Sequence, residues 1–107
     1  MEVKRYMGDN LDKQCGCRLW VHHYRNVVRN KRVVHTCGVL HCGEKEEYTS
    51  IVVPCDVDPE VYTQEFYILP MCAHHFSQLW NGFPLELSKE AILVSPERHK
   101  RCVPKEV

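Results

Sequence analysis

The spacing of hydrophobic positions along the chain predicts two helices. Apolar and aromatic residues recur at helical spacing over residues 18–29, with arginines between them, which is typical of one amphipathic helix. Residues 72–81 contain no helix-breaking residue and are followed by Gly82, a residue type that often ends a helix. We therefore expect one helix near each of these two stretches.

Other stretches are rich in β-branched residues and predict short strands. The clearest is 48–54, a β-branched run that ends at a proline. Residues 65–70 and 33–36 are further candidates, and 91–95 is a late strand that we expect to pair with 85–87. Together the elements predict an α+β fold with short β-hairpins. Short elements bury little apolar surface, so such a fold needs additional cross-links.

The length of 107 residues predicts a single domain, and the amino-acid composition is typical of a globular protein. We expect the polar residues 1–12 to be loosely ordered, residues 13–107 to form the domain, and the acidic residues 55–64 to form a loop. The chain contains no apolar run of membrane-span length, and its first ten residues lack the apolar core of a signal peptide. We therefore expect a cytoplasmic protein in a reducing compartment.

The unusual feature of the composition is seven cysteines together with seven histidines. The cytosol keeps thiols reduced, and an odd number of cysteines leaves one unpaired in any disulfide scheme. Zinc sites fit better, because they combine cysteine with histidine. The alternative is a secreted, disulfide-bonded domain. We expect two structural zinc ions.

The first predicted zinc site joins a C-x4-C pair to a C-x2-H pair further along the chain. Its predicted ligands are Cys37, Cys42, Cys72 and His75. Glycines flank the first pair, as in a tight metal-binding turn, and the second pair lies where the second helix is expected to begin. His74 is the alternative to His75, since neighbouring helix residues point about 100° apart and only one can face the ion. The order of turn, hairpin and helix predicts a treble-clef zinc finger with a ββα centre.

The second predicted zinc site begins with a C-x-C pair, Cys15 and Cys17, followed by His23 on the first predicted helix. These residues supply three ligands, so the fourth must come from elsewhere. Cys102 and Cys55 are the remaining cysteines. Cys102 lies among basic residues, which lower the pKa of a thiol and favour the metal-binding thiolate.

The charges are balanced overall but unevenly distributed. Residues 1–35 carry a net charge of +5, residues 36–92 carry −7, and residues 93–107 carry +2. If a shared ion joins the two ends of the chain, their basic residues form one pole that could bind phosphate. The candidate phosphate contacts are Arg25, Arg29, Lys31, Arg32, Arg98, Lys100 and Arg101. An ordinary solvated surface is the alternative interpretation.

Four segments of the chain resemble, in order, a family of short bacterial zinc-binding proteins. The family opens with C-x-C-G-S-W-L-x-H-W, and this chain has Cys15-x-Cys17-x2-Trp20-x2-His23-Tyr24. The family continues with C-x4-C, then P-L-C-x2-C/H, then L-V-S with a cysteine seven residues after the serine. The matching positions here are Cys37-x4-Cys42, Pro70-Met-Cys72-x2-His75, and Leu93-Val-Ser95 with Cys102. The resemblance implies that Cys102 completes the second site and that Cys55 is a free thiol.

The centre of the chain also resembles the ββα-metal finger of HNH endonucleases. Those enzymes use a D-H-I-x-P strand with a general-base histidine and an L-C-x2-C-H segment that ends in a metal-binding histidine. The corresponding positions here are Ser50 and Ile51 on the strand and Phe76 after the second ligand pair. The substitutions at Ile51 and Phe76 remove the catalytic chemistry. A nuclease would need a relocated base, for instance His41 or His74.

We therefore expect a non-catalytic, zinc-stabilised binding or adaptor module. A protein partner is slightly favoured over nucleic acid, and the alternatives are an HNH-like metal-dependent nuclease and a phosphate- or nucleic-acid-binding zinc finger. Both predicted sites have four protein ligands, as structural rather than catalytic zinc does. The aromatic residues Trp20, Tyr24, Trp80 and Phe83 are expected first in the core and second as stacking platforms.

Overall fold

The computed structural model describes residues 1–7, 13–56 and 66–104. Its strands are β1 (Glu2–Arg5), β2 (Tyr48–Pro54), β3 (Tyr67–Met71) and β4 (Leu85–Glu86). They form a four-stranded antiparallel sheet in the order β3-β2-β1-β4. The helices are α1 (Trp20–Val27), α2 (Lys31–Val34) and α3 (Ala73–Trp80). No helix among the described residues has the length and apolar character that a membrane span needs.

Strands β2 and β3 form the hairpin that leads into α3. Their register runs from Tyr48 opposite Met71 to Val52 opposite Tyr67. The predicted strand 48–54 is confirmed, and β3 lies close to the predicted 65–70. One residue after β3, Cys72 occupies the N-cap position of α3, so the hairpin places the start of that helix. The predicted helix 72–81 is confirmed, and Gly82 follows it with a φ of 89°.

Residues Glu2–Arg5 correct the expectation of a loosely ordered N-terminus, because they form an interior strand of the sheet. Val3 lies opposite Pro54 on one side and Leu85 on the other, and its side chain is fully buried. A single buried apolar residue in a four-residue strand is too short a pattern to detect from periodicity. Residues 8–12 of the same segment lie outside the described residues.

Two other strand predictions were wrong in detail. Residues 31–34 form α2 because the side chain of Asn30 accepts a hydrogen bond from the backbone N–H of Arg32 at 3.1 Å and caps the helix. Of the predicted strand 33–36, Thr36 makes one isolated bridge, to Lys45. In the predicted strand 91–95, Val94 bridges to Ile68 of β3 rather than to 85–87. The predicted loop 55–64 lies mostly outside the described residues, apart from a turn at 55–56.

The sheet is covered on both faces, since neighbouring residues of a strand point to opposite sides. On one face, Leu69 packs with Val52 and with Leu79 of α3. On the other face, Ile68 packs with Tyr24 of α1. The predicted helix at 18–29 is confirmed by α1, which lies inside those bounds. The structure is therefore a small α+β fold in which α1 and α3 lie on opposite faces of the sheet.

Candidate metal centres

Two clusters of cysteine and histidine side chains are brought together by this fold. We call the first the enclosed site, formed by Cys15, Cys17, His23 and Cys102. We call the second the open site, formed by Cys37, Cys42, Cys72 and His75. Within each cluster all four ligand atoms lie within 4.8 Å of one another. The structure thus assembles the two sets of residues that the sequence predicted as metal ligands.

The distances within the clusters fit a tetrahedral ion better than any direct bond between the residues. Zinc binds sulfur at about 2.3 Å and histidine nitrogen at about 2.0–2.1 Å, so its ligand atoms lie roughly 3.5–3.8 Å apart. In the enclosed site, the Nδ1 of His23 lies 3.2 Å from the Sγ of Cys15 and 3.3 Å from that of Cys102. In the open site, the Sγ atoms of Cys42 and Cys72 are 3.9 Å apart. All seven cysteines are free thiols, so each cluster could hold one metal ion.

The enclosed site depends on a close approach between two distant parts of the chain. The backbone N–H of Gly16 donates to the carbonyl of Val103 at 2.7 Å. A Cβ at position 16 would lie 2.2 Å from the carbonyl oxygen of Pro104, so only glycine fits there. This contact brings Cys102 beside the turn that carries Cys15 and Cys17.

The histidine of the enclosed site is held in one orientation. The Nε2 of His23 lies 2.9 Å from the carbonyl oxygen of Ser95, an acceptor only, so Nε2 carries the proton and donates. The Nδ1 atom then presents a lone pair toward Cys15 and Cys102, as a metal ligand must. The ring is fully buried, which excludes water from this side of the cluster.

Two thiols of the enclosed site also have their own hydrogen-bond donors. The side-chain amide of Asn26, on α1, lies 3.2 Å from the Sγ of Cys17 and donates to it. The backbone N–H of His99 lies 3.4 Å from the Sγ of Cys102. Such bonds orient metal-binding groups and stabilise the thiolate form.

The open site is built from a tight turn and the start of α3. Between Cys37 and Cys42 the chain turns through His41, whose φ of 62° is in the left-handed region. Cys72 is the N-cap of α3, and His75 lies in its first turn, with its Nδ1 3.3 Å from the Sγ of Cys72 and 3.6 Å from that of Cys37. The two pairs of ligands thus approach each other from the two sides of the site.

His75, rather than its neighbour His74, belongs to the open site. The side chain of His74 is exposed, and its ring lies 5.2 Å from that of His75. Burial, and after it the charge of His74, lowers the pKa of His75 below its ordinary value. The ring is therefore neutral at pH 7, which is the form that binds a metal.

The open site is so named because two of its four side chains are partly exposed to solvent. Cys42 and His75 are only partly buried, whereas the three cysteines of the enclosed site are all at most 9% exposed. A surface cleft at the open site is lined by Cys42, Cys72, His74 and His75, with Glu44 and Glu47 beside them. The two sites therefore differ in access although their ligands are of the same types.

Burial changes the acidity of the thiols. It raises the pKa of Cys37 to about 12 and that of Cys102 to about 11. Burial also acts to raise the pKa of Cys17, but the hydrogen bond from Asn26, together with further hydrogen bonds, brings that pKa below the ordinary thiol value. A metal ion that binds Cys37 or Cys102 at pH 7 must displace the thiol proton.

Two of the seven basic side chains predicted to contact phosphate bind other groups of the protein instead. Arg25 forms an ion pair with Glu46, a carboxylate that is 8% exposed. A guanidinium nitrogen of Arg101 donates to the carbonyl of Val27 at 3.2 Å, so the C-terminal basic segment lies against the end of α1. The remaining candidate phosphate contacts are solvent-exposed: Arg29, Lys31, Arg32, Arg98 and Lys100.

The two positions that would carry nuclease chemistry serve packing instead. Ile51 lies opposite Ile68 in the β2–β3 ladder and packs against the hydrophobic cluster under α1. Phe76 stacks on Tyr48, with ring centroids 4.5 Å apart and an interplanar angle of 17°. Neither side chain can take up a proton or bind a metal.

Two of the aromatic residues that were expected first in the core, with stacking platforms as the second expectation, are exposed. Tyr24 is buried as expected, but Trp80 and Phe83 are 53% and 60% exposed. The rings of Tyr48, Phe76 and Trp80 form a row of contacts along α3 and β2, which we call the aromatic surface. In the sequence, helical spacing of Phe76 and Trp80 was compatible with either a buried or an exposed face.

Comparison of the chain with protein families, with curated proteins and with solved structures finds no match. The two Cys3His clusters are therefore the features on which a functional interpretation depends.

Proposed function

We propose that the protein is a non-catalytic binding module that is stabilised by two zinc ions and recognises a protein partner. The observation that carries this proposal is the pair of complete Cys3His clusters. Four protein ligands leave no position for a substrate or an activated water, which is the arrangement of structural rather than catalytic zinc. The packing roles of Ile51 and Phe76 support the same conclusion.

Zinc is the ion that best suits these donors. Thiolate-rich tetrahedral sites with one histidine favour zinc over calcium or magnesium, which prefer oxygen ligands. When bound, such an ion supplies folding free energy of about 10–16 kcal/mol per structural site in small zinc-finger peptides. The residues that would hold the ions are those of the enclosed and open sites.

The aromatic surface is the proposed contact with the partner. Tyr48 and Trp80 are about half exposed, at 47% and 53%, and Phe83 follows the same helix at 60%. The guanidinium of Arg5 lies 4.6 Å from the centroid of the Trp80 ring and adds a cation at one end. Aromatic residues and arginine are enriched at protein interfaces, where lysine is depleted.

The resemblance to short bacterial zinc-binding proteins and the treble-clef assignment remain part of this proposal. They are supported by the succession of β2, β3 and α3, with Cys37 and Cys42 before the hairpin and Cys72 and His75 at the start of the helix.

Elemental analysis and a binding assay test the proposal together. We expect about two zinc ions per chain in protein purified without added zinc. A protein captured by the wild type should be lost with Trp80→Ser and Tyr48→Ser, and should be retained by Ile92→Ser. Ile92 is a matched control, because it is 40% exposed and lies outside the aromatic surface. Absence of metal, or divalent-ion-dependent DNA cleavage by the purified protein, would refute the proposal.

Nucleic-acid binding is the second candidate, favoured by the contact of Arg101 with the end of α1, which brings the two basic segments together. If this candidate is correct, replacing Arg29, Lys31 and Arg32 with alanine flattens a salt-dependent DNA-binding curve. If the triple variant binds like the wild type, these residues form a solvated surface only.

A further inference from the structure

The two metal sites differ in how far their sulfur atoms are protected. In the enclosed site, Cys15, Cys17 and Cys102 are 4%, 2% and 9% exposed. The backbone of Gly16 packs against Pro104 so closely that no side chain would fit between them. These three thiols are therefore less accessible to a dissolved reagent than a thiol that is only partly buried.

Cys42 is the accessible thiol of the open site. It is partly buried, whereas Cys37 and Cys72 are 3% and 6% exposed. Cys42 also borders two cavities, the cleft beside His74 and a second one beside Arg32. Its Sγ lies 3.9 Å from that of Cys72, which borders the same cleft as Cys42.

Cys42 is accessible because it borders the cleft, and metal binding would also make its thiol reactive. A thiol that coordinates a metal ion is deprotonated, and the thiolate is the form that attacks peroxides and disulfides. A disulfide requires its sulfur atoms about 2.0 Å apart, so Cys42 and Cys72 would have to approach by roughly 2 Å. Rotation of the partly exposed Cys42 side chain can supply this movement.

We propose that the open site is an oxidation site, at which a small peroxide converts Cys42 and Cys72 into a disulfide and the bound zinc ion is released. This inference rests on the zinc loading of the proposed function. The Cys42 thiolate attacks one peroxide oxygen, the O–O bond breaks, and a sulfenic acid and a hydroxide form. The Cys72 thiolate then attacks the sulfur of Cys42 and expels a second hydroxide. The sulfur atoms lose two electrons, and two protons convert the hydroxides to water.

The charges of the cleft favour an uncharged oxidant. Glu44 and Glu47 border the cleft together with Lys45, which leaves it net negative. An anionic reagent such as oxidised glutathione is repelled by this charge, whereas hydrogen peroxide is not. Loss of two of the four ligands then frees the ion, while the enclosed site keeps its complete set.

The experiment uses the full-length, zinc-loaded protein, whose zinc content is measured first. Hydrogen peroxide is added in the presence of a chromogenic zinc chelator, and the disulfides are mapped by mass spectrometry of unreduced peptides. We expect two resolved phases of release, with one zinc ion lost in the fast phase while the other is still bound, because Cys42 is partly buried whereas the cysteines of the enclosed site are at most 9% exposed. The fast phase should coincide with a Cys42–Cys72 disulfide, and dithiothreitol with added zinc should reverse it.

Two variants sharpen this test. Cys42→His keeps a metal ligand but removes the thiol, so it should retain two zinc ions and lose the fast phase. Cys55→Ser is the matched control, because Cys55 is a partly buried thiol outside both clusters, and its rate should equal that of the wild type. If Cys42→His binds one ion only, the peptide map of the wild type decides alone.

The possible failures can be told apart. Zinc at neither site would overturn the proposed function and this inference with it. Two zinc ions that leave at equal rates, or a fast phase in which Cys42 remains unmodified, would overturn this inference alone.

Discussion

The enclosed and open sites use the same donor types but depend on different surroundings. Cys37 and Cys72 of the open site belong to the largest hydrophobic cluster, together with Val3, Leu69 and Leu79. The enclosed site is its own cluster, formed by its three cysteines, and within the described part of the chain Val27 is the one hydrophobic residue packed against them. A metal ion at the open site would therefore add stability to a part of the chain that hydrophobic packing already holds. A metal ion at the enclosed site would instead supply most of the stability of the segments around it.

This difference explains why one chain can contain both a protected and an accessible site. The sheet and α3 support the open site through apolar contacts, so its ligands can border solvent. Among the described residues, the segments 13–19 and 95–104 enter the hydrophobic clusters only through Cys15, Cys17 and Cys102, and the hydrogen bond from Gly16 to Val103 joins them. Local stability follows local burial in this way.

The largest expected effect comes from removing one ligand at each site in turn. Cys102→Ser should abolish zinc binding at the enclosed site and cost a large part of the about 10–16 kcal/mol that such an ion supplies. We expect the segments 13–19 and 95–104 to lose their protection from exchange, because they enter the hydrophobic packing through the cysteines of this site, whereas Tyr24 of α1 keeps its contact with Ile68. Zinc content and amide hydrogen exchange measure both effects.

Cys42→Ser is the counterpart at the open site. It should lose one ion as well, but the amides of β2 and β3 should keep their protection from exchange because the hydrophobic cluster beneath them remains. Equal loss of protection in the two variants would contradict the comparison.

Acidification should weaken zinc binding at both sites. The pKa of about 12 for Cys37 and about 11 for Cys102 means that both thiols are protonated at neutral pH in the metal-free protein. Protons therefore compete with the ion, and the apparent affinity falls as pH falls, by about tenfold per pH unit for each proton displaced. His75 adds to this competition only when pH falls through its lowered pKa. Chelator competition between about pH 6 and pH 8 measures the slope, and an affinity independent of pH would contradict the expectation.

A substitution that leaves a cavity in the hydrophobic cluster beside the open site should lower the free energy of unfolding. Leu79 is fully buried in the cluster that contains Cys37 and Cys72. Leu79→Ala should lower the free energy of unfolding by about 2–5 kcal/mol. Leu19→Ala serves as the control, because Leu19 is 55% exposed, and should change it by less than about 0.5 kcal/mol. Denaturant unfolding of zinc-loaded protein compares them, and similar effects would argue against the described packing.

The smallest expected effect tests the hydrogen bond to Cys17. Asn26→Ala removes the donor 3.2 Å from that sulfur and should weaken zinc binding at the enclosed site by about 10–100-fold. Binding at the open site should be unchanged. Asn81→Ala, at an exposed asparagine after α3, is the matched control. If both variants bind zinc like the wild type, Asn26 does not support the site.

Much of the α+β architecture was predictable because its signals are local. The β-branched run of β2, the helical spacing in α1, and the glycine after α3 each act within a few residues. The position of Glu2–Arg5 was not predictable, because one buried valine carries no period, and the strand forms only when β2 and β4 are beside it. At residues 31–34 the capping bond from the backbone N–H of Arg32 to the side chain of Asn30 favours a helix, and hydrophobic periodicity does not reveal such a bond.

The sequence by itself grouped most of the candidate metal ligands, because metal sites restrict which residue types occur and how they are spaced. It left open the choice between His75 and His74, and only the resemblance implied Cys102 rather than Cys55; the structure places His75 and Cys102 in the two clusters. Only the tertiary structure decided how accessible each set is. It placed the C-terminal segment against Gly16, exposed Trp80 and Phe83, and left Cys42 at the edge of a cleft. The exposure of a side chain depends on which distant segments of the chain pack together. That packing depends on weak contacts among many residues, and no short sequence motif encodes it.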